Sequence, residues 1–265
     1  VDVHSKVGSY VGVIGTKGSH LVMPDERARP LGVESLWLDI GARSRQQVEA
    51  MGIKPGDLVT YRPNFCQMSG GYIVSKAIDN RAGCAIVVDL ARKLSGTSLP
   101  FDLYLVAAVQ EEVGARGSKV AAQRINPTMA VVVDTTPAAD PLTKPHEVTC
   151  EVGQGPIIRV MDMFFDLLLG TIYSKPIREW LVEAAERLRL PYQATVASTF
   201  SDAATVHLAN QGVPCGGVFI ARLCSHSATE VAHIEDIENT SALLCEALRG
   251  MTGERLQEIG LPHQL

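Results

Sequence analysis

Residues 101–135, FDLYLVAAVQEEVGARGSKVAAQRINPTMAVVVDT, set the fold class. The run 101–110 is almost continuously apolar, the pattern of a strand buried on both faces. A short helix is predicted over Ser118–Arg124, and the second apolar run, 129–135, predicts another strand. Strand, helix and strand in immediate succession predict an α/β domain.

The same alternation extends in both directions. Upstream, YIVSKAI (72–78) predicts a strand leading into a helix over Arg81–Leu94. Downstream come a strand in GPIIRVM (155–161) and a helix over Ile177–Leu188. In that helix Trp180, Leu181, Ala184, Ala185 and Leu188 share one face at helical spacing. A strand in PYQATV (191–196), a helix near Ala203–Asn210, a strand in CGGVFIA (215–221) and a closing helix over Ile237–Met251 complete the series. The stretch 163–170, MFFDLLLG, is apolar enough for core, an oligomer contact or a mobile loop. Residues 1–68 have a different texture: short strands in VDVHSKV, YVGVIG, SLWLDIGA and KPGDLVTYRP, with one helix over Ser44–Met51 that opens on a capping serine. Two domains are therefore expected, a β-rich one over 1–68 and an α/β one over 69–265.

Composition narrows the function. With 265 residues, 46% hydrophobic content and a formal charge of −5, the chain reads as a globular protein without the basic face of a nucleic-acid binder. Six cysteines form no CxxC pair, and several sit in apolar runs, as free buried thiols do in a reducing compartment. No apolar stretch reaches membrane-spanning length. A cytoplasmic location with no membrane partner is the expectation. The chain opens on Val1, inside a predicted strand, and is taken as a segment of something longer.

Open α/β sheets place ligands just past the carboxyl ends of strands. Asp79 follows the first strand of the α/β domain, and Glu111 and Glu112 follow the run 101–110. Asp134 ends the next strand, while His226 and Glu230 follow CGGVFIA. These residues are expected along one edge of one sheet. Asp, Glu and His together suit borderline-hard divalent metals such as Zn²⁺, Co²⁺ or Mn²⁺, and carboxylates share a pocket when cations offset their repulsion. Neighbouring carboxylates on an extended segment point to opposite sides, so one of Glu111 and Glu112 can be a general base and the other a ligand. His4, His20 and His207 read as structural or loop histidines.

KAIDNRAGCA, AAVQEEVGARGS, VVVDTTPAADP and ARLCSHSATEVAHIEDIENT resemble, in order and spacing, the motifs of the M42 family of metallo-aminopeptidases, also labelled glutamyl or deblocking aminopeptidases and endoglucanases. GVIGTKGSHL, LWLDIGARSRQQVEAMGIKPGDLVTY and GVPCGGVFIA extend the likeness over nearly the whole chain. The resemblance implies a three-layer α/β/α metallopeptidase domain with a PDZ-like barrel inserted in it. It implies peptide substrates and a homo-oligomer, up to a dodecamer. It also implies two divalent ions per subunit, zinc or cobalt, bridged by Asp79, with Glu112 on one ion, Asp134 and His226 on the other, and Glu111 as general base. The chain departs from the family in two places. The family's early His-x-Asp motif has no match in this chain, which begins after that point, and Phe200-Ser201-Asp202-Ala203 stands where the family has Gly-Thr-Asp-Ala. An inactive relative and a glycoside hydrolase are the alternative readings, the latter poorly served by an aromatic content of 5%.

Overall fold

The structure, a computed structural model, describes residues 1–27, 30–144, 146–166 and 168–260. The chain divides into two units, Val1–Asn64 and Phe65–Leu265. The first carries β1 (Asp2–His4), β2 (Ser9–Val11), β3 (Val13–Gly15), α1 (Pro24–Arg27), β4 (Trp37–Asp39), α2 (Arg45–Ala50) and β5 (Leu58–Thr60). Antiparallel β1 is flanked by β2 and β5, and β3 pairs with β4. The Ser44 hydroxyl accepts from the Gln47 amide and caps α2.

The second unit carries β6 (Cys66–Gln67), β7 (Tyr72–Ser75), α3 (Ile78–Lys93), α4 (Arg116–Ile125), β8 (Ala130–Pro137), β9 (Ile157–Phe164), β10 (Leu169–Ile172), α5 (Lys175–Leu188), β11 (Gln193–Ala197), α6 (Ala203–Val206), β12 (Cys215–Arg222), β13 (Glu230–His233), α7 (Ile234–Arg249) and α8 (Gly253–Gly260). Its main sheet runs β10-β9-β12-β8, with β11 beside β9. It is mixed: β12 is parallel to β8 and β11 to β9, while β9 is antiparallel to both β10 and β12.

All eight residues of β12 are buried, and the period-2 pleat divides them between two cores. Val218 and Ile220 join the cluster formed with α3, α5 and α7, whereas Cys215, Phe219 and Ala221 join the one formed with Ala122 of α4 and Ala203 and Val206 of α6. Helices therefore cover both faces, giving the three-layer α/β/α arrangement. Of the face expected on α5, Trp180, Leu181, Ala184 and Ala185 are at most 1% exposed, as is Ile177, whereas Leu188, the last residue of the helix, is 39% exposed. Full burial of each large apolar side chain on that face contributes roughly 1.5–3 kcal/mol. The Trp180 Nε1 donates to the Ala247 carbonyl across the α5–α7 contact. At Gly216 a Cβ would stand 2.4 Å from Ile177, so the close approach of α5 to β12 requires glycine.

Three expectations are corrected. The run 101–110 forms no strand. A strand exists through its ladder, and among the described residues no segment pairs with this one; Tyr104, Val106 and Val109 are exposed rather than buried on both faces. The predicted single sheet edge is also absent. β7, which leads to Asp79, belongs to a separate antiparallel sheet of order β13-β7-β6, and Asp134 lies inside β8 rather than at its end. Finally, the helix expected over 203–210 stops at Val206, and α8 was not anticipated. Of the stretch 163–170, Leu167 lies outside the described residues; the rest joins β9 and β10, with Phe165 and Leu168 exposed. Among the described residues no helix is long and apolar enough to cross a membrane.

Candidate metal centre

The second unit contains a cavity of about 170 Å³ lined by Asp79, Glu111, Glu112, Asp134 and His226, the five site residues anticipated from sequence. They arrive from four segments, each with its own local reason. Asp79 enters at the start of α3, behind Ala77 in the left-handed region, with a cis peptide to Asn80. Asn80 anchors this entry, donating to the Val133 carbonyl at 2.8 Å and accepting from Gly83 at 2.8 Å.

Glu111 and Glu112 sit in a tight turn. The Glu111 carbonyl accepts from the amides of Gly114 and Ala115, and those of Val109 and Gln110 accept from Gly117 and Arg116. Gln110 and Ala115 both take positive φ to close it. Asp134 is inward-facing on β8 and 7% exposed, its carboxylate accepting from the Thr135 amide at 2.8 Å. After β12 the chain turns back through Cys224 and His226, both left-handed. That conformation is costly for residues other than glycine, and here it is held by the His226 amide, which donates to Glu230 at 3.2 Å.

Arg222, the last residue of β12, joins the entry to α3, β8 and β13. Its Nη2 donates to Asp79 at 2.5 Å, its Nη1 to Glu230 at 2.7 Å and its Nε to the Thr135 hydroxyl at 2.6 Å. Glu230 also accepts from the Asp79 amide at 3.0 Å. Neither Arg222 nor the orienting role of Glu230 was anticipated. The available signal was a cation closing an otherwise apolar strand, where it is buried and must find partners. Asp202 was noted only for its sequence context; it accepts from the Ser118 hydroxyl at 2.6 Å and its charge bears on Glu111.

Electrostatics mark the cavity as a place for cations. Burial, then the charges of Asp202, Glu112 and Asp79, push the Glu111 carboxyl up to about 8. Burial first and Asp79 second raise Glu112, and the same two causes hold Asp134 well above the usual carboxylate range. Arg222 is already shared between two carboxylates, so the cluster remains net negative. The ligand atoms of Asp79, Glu112 and His226 lie within 4.8 Å of one another. The His226 Nε2 stands 3.4 Å from Asp79 Oδ2 and 3.5 Å from Glu112 Oε2. Ligands bound at about 2.0–2.2 Å in tetrahedral geometry are separated by about 3.3–3.6 Å. The donor set and its spacing therefore fit a divalent ion of the zinc or cobalt type.

Residues 1–243 match the family model described as M42 glutamyl aminopeptidase. A protein of Acetivibrio thermocellus is 38% identical over 225 residues, 84% of this chain and 64% of its own length. The chain thus spans less than two thirds of that relative. An aminopeptidase from the archaeon Desulfurococcus kamchatkensis superposes with a TM-score of 0.91 at 33% identity, covering 100% of this chain and 72% of that one. The Pyrococcus horikoshii TET1 peptidase, described as assembling into a tetrahedron or a large octahedral shell, superposes with a TM-score of 0.81 at 25% identity over 94% of this chain and 71% of its own. The chain belongs to the M42 family of glutamyl aminopeptidases.

Proposed function

We propose that the protein is a metal-dependent aminopeptidase that releases N-terminal residues from peptides. The observation that carries this reading is the convergence of Asp79, Glu112 and His226 within bonding range of a common ion, with the raised carboxyl of Glu111 beside them. Two ions are proposed: Asp79, Glu112 and His226, whose ligand atoms lie within 4.8 Å of one another, would hold one, and Asp79 with Asp134 would hold the other. Bound there, divalent ions supply activation of the attacking water and polarisation of the scissile carbonyl.

The protein's own groups do the rest. Glu111 takes a proton from the attacking water onto its carboxylate and returns it to the leaving amine. A carboxyl whose affinity for protons is raised by burial is suited to that exchange near neutral pH. Arg222 holds the Asp79 carboxylate in place, and Glu230 fixes Arg222 and the His226 backbone together. The β-rich unit is proposed as the PDZ-like insertion of the family, contributing to a homo-oligomer of the kind its TET relatives form.

The test is hydrolysis of aminoacyl-anilides by the full-length protein, with chelator and with Zn²⁺ or Co²⁺ restored. Chelator-sensitive cleavage is expected. Absence of cleavage in every metal condition removes the aminopeptidase reading, and chelator-resistant cleavage removes the metal.

A further inference from the structure

The cavity is also lined by Pro137, Phe164, Phe200, Ser198 and Thr199. The rings of Phe164 and Phe200 lie 6.2 Å apart at 47°, both half-buried. We propose that these two rings form the subsite for the substrate's N-terminal side chain, and that it accepts aromatic or large aliphatic side chains in preference to acidic or basic ones. The inference rests on the aminopeptidase reading of the same cavity.

Charge is the first reason. An acidic side chain needs a cationic partner there, and Arg222, the cavity's only arginine or lysine among the described lining residues, is 3% exposed and donates to three acceptors already. A basic side chain needs a carboxylate, and each carboxylate lining the cavity is already assigned as ligand or base. Bringing an unpaired charge against two phenyl rings costs its desolvation. An apolar side chain instead gains by leaving water.

Size is the second. The whole cavity is about 170 Å³, close to an engineered apolar cavity of about 150 Å³ that takes benzene. Because that space is shared with the ions and the scissile bond, the part beside the rings admits no more than one side chain.

Rigidity is the third. Asp162, two residues before Phe164 on β9, accepts from the Tyr173 hydroxyl at 2.5 Å, and that hydroxyl bonds the Ser201 hydroxyl, next to Phe200, at 2.9 Å. All three residues are 1% exposed, and Asp162 also pairs with buried Arg159 at 3.2 Å. One buried network thus fixes the backbone beneath both rings, which lowers the ordering cost of binding.

The test compares Leu, Phe, Ala, Glu and Lys anilides on the metal-loaded full-length protein. The Leu or Phe substrate is expected to exceed Glu and Lys at least about tenfold in kcat/KM. Phe200→Ala and Phe164→Ala should each lower kcat/KM for Leu and Phe about tenfold and leave Ala within about twofold, with Phe200→Leu restoring Leu. A preference for Glu or Lys, or truncations that lower all substrates alike, overturns the subsite. Thermal shifts with leucine, glutamate and lysine hydroxamates read the same subsite without turnover. If no anilide is cleaved, the aminopeptidase reading fails, while a larger leucine hydroxamate shift abolished by Phe200→Ala sustains the subsite and equal shifts overturn it.

Discussion

Arg222 and Asp79 lie 143 residues apart in the chain yet share a 2.5 Å hydrogen bond in which a guanidinium 3% exposed holds the carboxylate proposed to bridge two ions. The remaining guanidinium contacts go to Glu230 and Thr135, so one side chain ties β8, β12, β13 and the entry to α3 together. Arg222→Lys keeps the charge but loses the planar fork that serves three acceptors. Metal affinity is expected to fall about 10- to 100-fold, as for other residues that orient ligands. Competition with a chromophoric zinc chelator measures it. Arg222→Met should be worse, since it strands Glu230 and Asp79 with no cationic partner from the protein, a loss on the order of 3–5 kcal/mol in the metal-free protein.

Glu111→Gln separates base from ligand. The amide cannot accept the water's proton, so kcat should drop about 10²- to 10⁴-fold. Metal content after dialysis should stay at the wild-type level, because Asp79, Glu112, Asp134 and His226 are untouched. A variant that loses metal in parallel with activity would make Glu111 a ligand instead.

The raised carboxyls give the metal-free protein a pH-dependent stability of defined sign. Glu111 moves from 4.5 to about 8 on folding, so the folded state binds its proton more tightly than the unfolded chain does. The stability this confers is complete below the unfolded value and is lost as pH rises through about 8. Glu112 and Asp134 are displaced in the same direction. In chelator, Tm should therefore fall from pH 5 to pH 8, on the order of a few degrees. Glu111→Gln should flatten part of that slope, and added Zn²⁺ should reverse the fall by binding the ionised cluster. Scanning calorimetry with and without chelator checks each point.

How much of this was visible beforehand depended on whether the cause was local. The burial of most of one face of α5 follows from spacing alone: Trp180, Leu181, Ala184 and Ala185 behave as their periodicity requires, while Leu188, at the helix end, is exposed. Asp79, Glu111, Glu112, Asp134 and His226 stood out because each closes or follows an apolar run. The run 101–110 misled for the same reason: its apolarity is local, but a strand needs a ladder partner, and pairing is a property of distant segments. The joining of the segments through Arg222 was hidden because its partners lie 8, 87 and 143 residues away. The separate sheet of β7 was equally invisible, since β13 is its neighbour only after the chain has returned.

Asp236 offers a test of fold without chemistry. It lies in the first turn of α7 and is 1% exposed, and its two oxygens accept from the amides of Gly153 and Gly155 at 2.7 and 2.8 Å. These bonds hold the approach to β9, where Gly155 at φ 85° stands so close to the Pro191 carbonyl that a Cβ would meet it at 2.2 Å. Asp236→Ala leaves both amides without an acceptor and removes a negative charge from a helix N-terminus, where it interacts favourably with the helix dipole. A loss of about 1–3 kcal/mol for each unmet group is expected. The urea midpoint should fall with little change in slope, as for a change in stability alone. Asp236→Asn keeps one acceptor oxygen and should recover part of the loss. Metal affinity should stay within about twofold of wild type in both variants below the unfolding transition, because none of the metal-site side chains touches this bond pair. If metal is lost before the midpoint shifts, then the approach to β9 and the metal centre act as one cooperative unit rather than as independent sites.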